Sequence, residues 1–201
     1  FYNSRHDQVY FSIITTQIKM KQLIIFVILS LPSVYFSWRA LFTVKSHGFY
    51  RFFGWEGIIW LFADNYPFWF SNPFSLPQIF SWILLIFSAF LVIVGGLMML
   101  RHGKPSGKRD DKTLFHFEKT TGLIETGVFR YIRHPLYSSL IYLTWGILLK
   151  NPEPLNIIIA GLSSVFLYIT SRFDEKECIL YFGESYINYM KKSWMFVPFI
   201  F

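Results

Sequence analysis

Cysteine is almost absent: Cys178 is the single one in 201 residues, which excludes an internal disulfide and any cysteine-rich metal site. It is read as a free, structural thiol. Charge is scarce as well. Only 15% of the residues are Asp, Glu, Lys or Arg, against 53% apolar and 21% aromatic, a balance unlike that of a soluble globular domain. No G-x-G strand-to-helix turn occurs, which argues against a Rossmann-type fold. There is no tandem repeat or low-complexity tract. An inverted repeat with interrupted helices in matching positions is also missing, which disfavours a transporter.

What is present is apolar length and a basic surplus. The formal charge is +7, but the positive residues cluster beside apolar segments and not in basic runs interleaved with aromatics, so nucleic acid is not the expected partner. Cytoplasmic loops and anionic lipid headgroups account for them better. The first residues lack an initiating Met and precede Met20-Lys21, so Met20 is expected to be the natural start. The apolar run that follows is read as a retained span and not a cleaved signal.

In chain order, Gln22 to Val44 is a first membrane span, long enough to cross about 30 Å of hydrocarbon. Lys45 and Arg51, set among aromatics, read as a headgroup interface. Trp55 to Phe70 carries Glu56, Asp64 and Pro67 and is expected to be a short, irregular span or re-entrant element. Ser71-Asn72-Pro73 is turn chemistry, and Pro77 to Leu100 is a clean span. Gly95-Gly96 within it permits close helix packing. From Arg101 to Thr121 the chain is a polar loop whose Arg101, Lys104, Lys108, Arg109, Lys112 and Lys119 place it in the cytoplasm. Leu136 to Leu149 and Leu155 to about Thr170 form a tight helical hairpin, followed by a mixed acidic and aromatic segment. The fold predicted is all-α: a transmembrane bundle of about five helices with this hairpin and a cytoplasmic C-terminal helix. Residues 1–76 form an N-terminal membrane segment and 77–201 the functional core.

The stretch from Thr121 to Leu140 concentrates backbone-shaping residues, Gly122, Gly127 and Arg133-His134-Pro135, at the mouth of an apolar segment. Pro135 has the fixed φ of a first helical turn. Fourteen residues of helix from 136 to 149 reach only about 21 Å, so this corner is recessed towards the membrane unless the helix begins earlier. Antiparallel helices joined at Pro152-Glu153 keep equal distances from the turn at equal depth. His134 therefore pairs with about Ser171, and Arg172, Asp174 and Glu175 face His134 to Tyr137. Arg172 and Glu175 also share a helix face. Ionisable groups at that depth serve a substrate or each other.

GLIETGVFRYIRHPLYSSL, followed by RFDEKECILYFGESYINYMKKSWMFVPF, resembles the isoprenylcysteine carboxyl methyltransferase and phospholipid methyltransferase group of integral-membrane methyltransferases, over roughly residues 77–201. The resemblance implies S-adenosylmethionine bound on the cytoplasmic side; five spans, if Trp55 to Phe70 crosses, put the N-terminus outside and the C-terminus inside. Thr121, Gly122, Leu123 and Ile124 would line the adenosine and Phe129 would pack nearby. His134, Pro135, Leu136 and Tyr137 would form the cofactor corner. Asp174-Glu175 would hold the amino group or ribose, and Arg172 a carboxylate of the cofactor or substrate. Asp174 stands where the group usually carries Glu, and Arg172 lies two residues nearer the acidic pair if Phe182-Gly183 sets the register. Aligned on Arg172 instead, the acidic position falls on Lys176-Glu177, so Asp174, Glu175 and Glu177 remain unseparated. The closer spacing resembles bacterial-type and methanethiol-methylating relatives.

Methyl transfer from a sulfonium is served by in-line orientation and fixed dipoles in a water-poor site, and needs no metal. His134, Glu175 and Arg172 are the expected catalytic groups, with His134 or Glu175 taking a proton from an amine or thiol. The implied acceptor is a lipophilic or small membrane-permeable thiol, carboxylate or amine. No obligate protein partner is implied. Two alternatives stand beside this reading: a phospholipid amine N-methyltransferase, and a non-catalytic membrane scaffold or transporter subunit. Arg130 and Arg133 read as headgroup anchors, Tyr181, Tyr186 and Tyr189 as a packing face, and His102 and His116 as solvated rather than metal-binding.

Overall fold

The computed structural model describes residues 2–43, 46–103 and 120–200. They form six α-helices: α1 (Tyr2–Leu41), α2 (His47–Asn65), α3 (Leu76–His102), α4 (Pro135–Leu148), α5 (Pro154–Phe182) and α6 (Glu184–Met190). Among the described residues there is no strand; β pairing is limited to an isolated parallel bridge between Ile132 and Trp194. The all-α expectation therefore holds. Three helices, Gln8–Leu41, Leu76–His102 and Pro154–Phe182, are long and apolar enough to cross a membrane, as an integral membrane protein requires. Lys45, Lys104, Lys108, Arg109, Lys112, His116 and Lys119 lie outside the described residues.

Prolines start three of the helices. α3, α4 and α5 each carry one in the first turn, where its missing N–H leaves nothing unsatisfied and its fixed φ already suits the helix. α4 begins at Pro135, so no earlier turn lengthens it. The second hairpin arm does not stop near Thr170. It continues unbroken to Phe182 and ends at Gly183, whose φ of +61° a residue with a Cβ rarely adopts. Arg172 to Glu177 therefore ride on the same rod as the apolar residues before them.

Two N-terminal expectations are corrected. α1 starts well before Gln22, although its contacts with α2 begin there: the Gln22 amide donates to the Asp64 carbonyl (3.0 Å), Phe26 meets Trp60 edge-on, and the Ser30 hydroxyl donates to Glu56 (2.7 Å). The supposed irregular element is a regular helix beginning at His47, capped by the Ser46 hydroxyl, which accepts from the Phe49 N–H. Glu56 and Asp64, two of the grounds for expecting irregularity, find partners inside the protein. Arg51 is buried with its guanidinium over the Trp55 ring rather than lying at an interface, and Asp64 accepts from Asn156 at 2.8 Å.

The core joins Ile58 and Leu61 of α2, Tyr137, Ile147 and Leu148 of α4, Ala160 and Leu167 of α5, and Met195 and Phe196 beyond α6. α1 packs on α2 and α3 on α4. Because lipid is as apolar as leucine, close approach and polar ties take over from the hydrophobic effect between membrane helices. Ser81 donates to the Gly146 carbonyl (2.6 Å) and Ser88 to the Ser139 carbonyl (2.7 Å), stitching α3 to α4. At Gly95 a Cβ would stand 3.2 Å from Pro135, whereas at Gly96 it would meet nothing. Only the first glycine of the pair is needed for packing. Gly95→Val is expected to push α3 off the start of α4 and destabilise the fold by about 1–3 kcal/mol, whereas Gly96→Val is expected to be near neutral; thermal unfolding in detergent distinguishes the two.

Candidate active site

Two bends carry the polypeptide from α3 to α4. The N–H groups of Thr121 and Gly122 both donate to the Gly103 carbonyl (2.9 and 3.2 Å). Gly127 has φ +58°, and a Cβ there would lie 2.6 Å from the Met98 sulfur, so glycine alone fits. A 3-10 turn, Gly127–Arg130, follows and buries Phe129, whose carbonyl accepts from the Tyr189 hydroxyl at 2.6 Å. The corner is then paired to the segment beyond α6. Arg133 and His134 donate their N–H groups to the carbonyls of Trp194 (2.9 Å) and Met195 (3.3 Å), and Trp194 donates to the Tyr131 carbonyl (3.1 Å). His134, with φ −123° and ψ 61°, stays out of the α region that Pro135 disfavours for the residue before it, and its carbonyl accepts from the backbone and hydroxyl of Ser138.

Against this corner α5 presents a charge cluster. Glu175 is 2% exposed. Its Oε1 accepts from Arg133 Nε at 2.6 Å, its Oε2 from Arg172 Nη1 at 2.6 Å, and Oε1 lies 3.5 Å from His134 Nε2. Arg133 Nη1 donates to the Ser193 carbonyl (2.6 Å). Asp174 stands on the other side of the imidazole, its Oδ2 3.4 Å from His134 Nδ1. Burial alone would lower the His134 pKa, but the Asp174 and Glu175 carboxylates more than offset it and hold it above the ordinary 6.5. His134 is therefore an imidazolium over a wider pH range than a free histidine.

A cleft, partly open to solvent, lies beside the cluster. Of the residues singled out from sequence, Gly122, Leu123, Ile124, Phe129, His134, Pro135, Leu136, Tyr137 and Asp174 line it. Four do not. Thr121 yields its place to Thr120; Glu175 sits behind His134 and Arg133; Arg172 is half-exposed and tied to Glu175. Glu177 faces α2, where it pairs with His47 Nδ1 at 2.9–3.0 Å.

The remaining lining comes from Met99, Thr120, Arg133, Cys178, Phe182, Tyr186 and Tyr189. Arg133 is a cluster member and not a headgroup anchor. Its neighbour His134 was the available signal, but a basic residue at a helix mouth looks the same when it merely reaches for lipid. Tyr186 and Tyr189 pack, as expected, and also form a wall; burial raises the pKa of both, so their hydroxyls stay neutral. No group of His, Cys, Asp and Glu suited to a metal exists among the described residues.

A family model described as phospholipid methyltransferase matches residues 83–182, from within α3 to the end of α5. A methanethiol S-methyltransferase of Crocosphaera subtropica is 25% identical over 122 residues, covering 60% of this chain and 44% of the relative. A methanethiol S-methyltransferase of Pseudomonas deceptionensis is 29% identical over 73 residues, covering 35% of this chain and 26% of the relative. The chain thus spans less than half the length of the curated relatives it matches. No solved structure matches it.

Removing the buried anion should leave Arg133 and its neighbours without a counter-charge, so Glu175→Ala is expected to destabilise the protein by about 3–5 kcal/mol, read from thermal unfolding. Since the folded pKa of His134 is raised, its contribution to stability is complete below pH 6.5, the unfolded value, and is lost as pH rises through the folded value. His134→Gln is expected to abolish that alkaline decline in the unfolding midpoint.

Proposed function

Because the chain belongs to the phospholipid methyltransferase family, we propose that it is a membrane methyltransferase using S-adenosylmethionine, with a lipophilic or small membrane-permeable acceptor. The observation that carries this is the meeting of the His134 imidazole and the Asp174 carboxylate on the wall of one cleft, at the end of a helical hairpin. The lining of the cleft suits the donor by its chemistry. The main chain from Gly122 to Ile124 offers polar groups to the adenosine, Phe129 and Tyr186 offer ring faces to the purine, and Asp174 offers a carboxylate to the ammonium or ribose.

S-adenosylmethionine, when bound, supplies an electrophilic methyl on a sulfonium. The residues of this chain do the rest by holding charge and geometry. Glu175, clamped by Arg133 and Arg172, is too firmly engaged to take a proton. Its task is to fix the imidazole, and Arg172 acts through it as a positioning residue. His134, held as an imidazolium, faces the acceptor and draws a thiol towards its thiolate, as a neighbouring cation does. The apolar wall of Met99, Leu136 and Tyr137 keeps water from the nucleophile.

A thiol is the favoured acceptor, in keeping with the names of the relatives. A phospholipid amine is the second reading, favoured by the description of the matching family. The basic Arg101 and Arg130 at this end support a cytoplasmic site.

Calorimetry with S-adenosylmethionine on the detergent-solubilised chain is expected to show saturable binding, weakened at least about tenfold, roughly 1.4 kcal/mol, in Asp174→Ala; a chain with no saturable binding would be a scaffold. Labelled methyl transfer to thiol, amine and carboxylate acceptors should favour the thiol. His134→Gln should shift the rising limb of the thiol pH–rate profile upward by about one unit or more.

A further inference from the structure

A second cavity, of about 370 Å³, lies at the other end of the bundle, where α1, the end of α2 and the hairpin turn come together. Asn156, in its wall, is nineteen residues before Glu175 on the unbroken α5, about 28 Å away along the helix axis. The cavity is therefore out of reach of the His134 cluster.

Its lining holds both hydrogen-bond donors and acceptors. The Asn156 amide nitrogen donates to Asp64 Oδ2 (2.8 Å) and more weakly to Asn65 (3.4 Å), which fixes its Oδ1 as the free acceptor. Asn156 is 1% exposed, and that Oδ1 is buried without a partner. The Trp60 indole N–H is likewise buried without a partner. Both residues line the cavity together with Asp64, Glu153 and Lys19. Native interiors rarely leave such groups unpaired, so each calls for a ligand. The lining thus combines acceptors and carboxylates (Asn156 Oδ1, Asp64, Glu153) with donors (Trp60 Nε1–H, Lys19). Leu23 and Leu155, both more than half exposed, flank the opening and supply apolar surface of the kind acyl chains cover.

We propose that this cavity binds the headgroup of a primary-amine phospholipid as a bound, non-reacting lipid. Its ammonium sits between Asp64, Glu153 and Asn156 Oδ1, and its phosphate accepts from Trp60 Nε1–H and Lys19. A primary ammonium fits better than a quaternary one because Asn156 Oδ1 requires an N–H donor. The site stands independently of the reaction at the opposite end.

The test is native mass spectrometry of the full chain released from detergent, without methyl donor, after equilibration with phosphatidylethanolamine, phosphatidylcholine or phosphatidylglycerol. Retention is expected to favour phosphatidylethanolamine over phosphatidylglycerol by about tenfold, with phosphatidylcholine between them. Asp64→Asn and Glu153→Gln should each reduce that preference severalfold, while His134→Ala leaves it intact. Glu153 is exposed, so its variant tests the site even if Asp64→Asn disturbs the helix packing. Equal retention of the three lipids, preference unchanged in both carboxylate variants, or preference lost in His134→Ala would each overturn the proposal. Competition by soluble glycerophosphoethanolamine at the same concentration as the lipid would overturn the lipid as the source of the headgroup.

Discussion

A carboxylate withdrawn from water at the end of an apolar bundle is tolerable only when it is surrounded by compensating charge, because the residual desolvation penalty of an unpaired ion is several kcal/mol. Glu175 is that carboxylate, and the architecture around it follows from its requirement. Its partners come from its own helix (Arg172) and from the corner before α4 (Arg133, His134). Arg133 then spends a second N–H on the carbonyl of Ser193. One buried negative charge thereby holds together three segments far apart in sequence: the pre-proline corner, the middle of α5 and the stretch beyond α6. The cleft wall is the surface left where they join.

The same requirement gives neighbouring acids different surroundings. Glu175 is held by two guanidinium groups, whereas Asp174, one residue earlier and turned about 100° around the helix, keeps its side chain partly open to the cleft. From sequence alone they were inseparable, and so was Glu177, because all three lie within one turn. The packing partners of each face, the corner for one side and His47 of α2 for the other, set their environments apart.

The contacts that antiparallel helices enforce were legible. Counting outward from Pro152-Glu153 brought His134 to the level of Arg172 to Glu175, because two rods of equal rise leaving one turn must match depth. Pro135 announced the start of α4 through its fixed backbone. Pairings that leave no periodic trace were not legible. Trp194 and Met195 zip to the corner by main-chain hydrogen bonds, which any side chain can carry. Arg51 and Arg133 were misjudged for a related reason: a cation near an apolar run looks the same in sequence whether it reaches for lipid or turns inward to a carboxylate or an indole. α2 was misjudged because Glu56 and Asp64 find partners on other helices, in Ser30 of α1 and Asn156 of α5, which a reading of local composition does not see.

α5 carries no proline beyond its first turn and runs unbroken from the residues that meet α2 at one end to those that grip the imidazole at the other. A continuous rod anchored this way behaves as a lever. A bilayer thicker or thinner than its apolar length alters its tilt, and a few degrees over about 28 Å displaces the far end by more than an ångström. Positioning at the reacting centre is sensitive on that scale. The geometry around His134 is therefore coupled, through one uninterrupted helix, to the lipid thickness of the membrane that holds it.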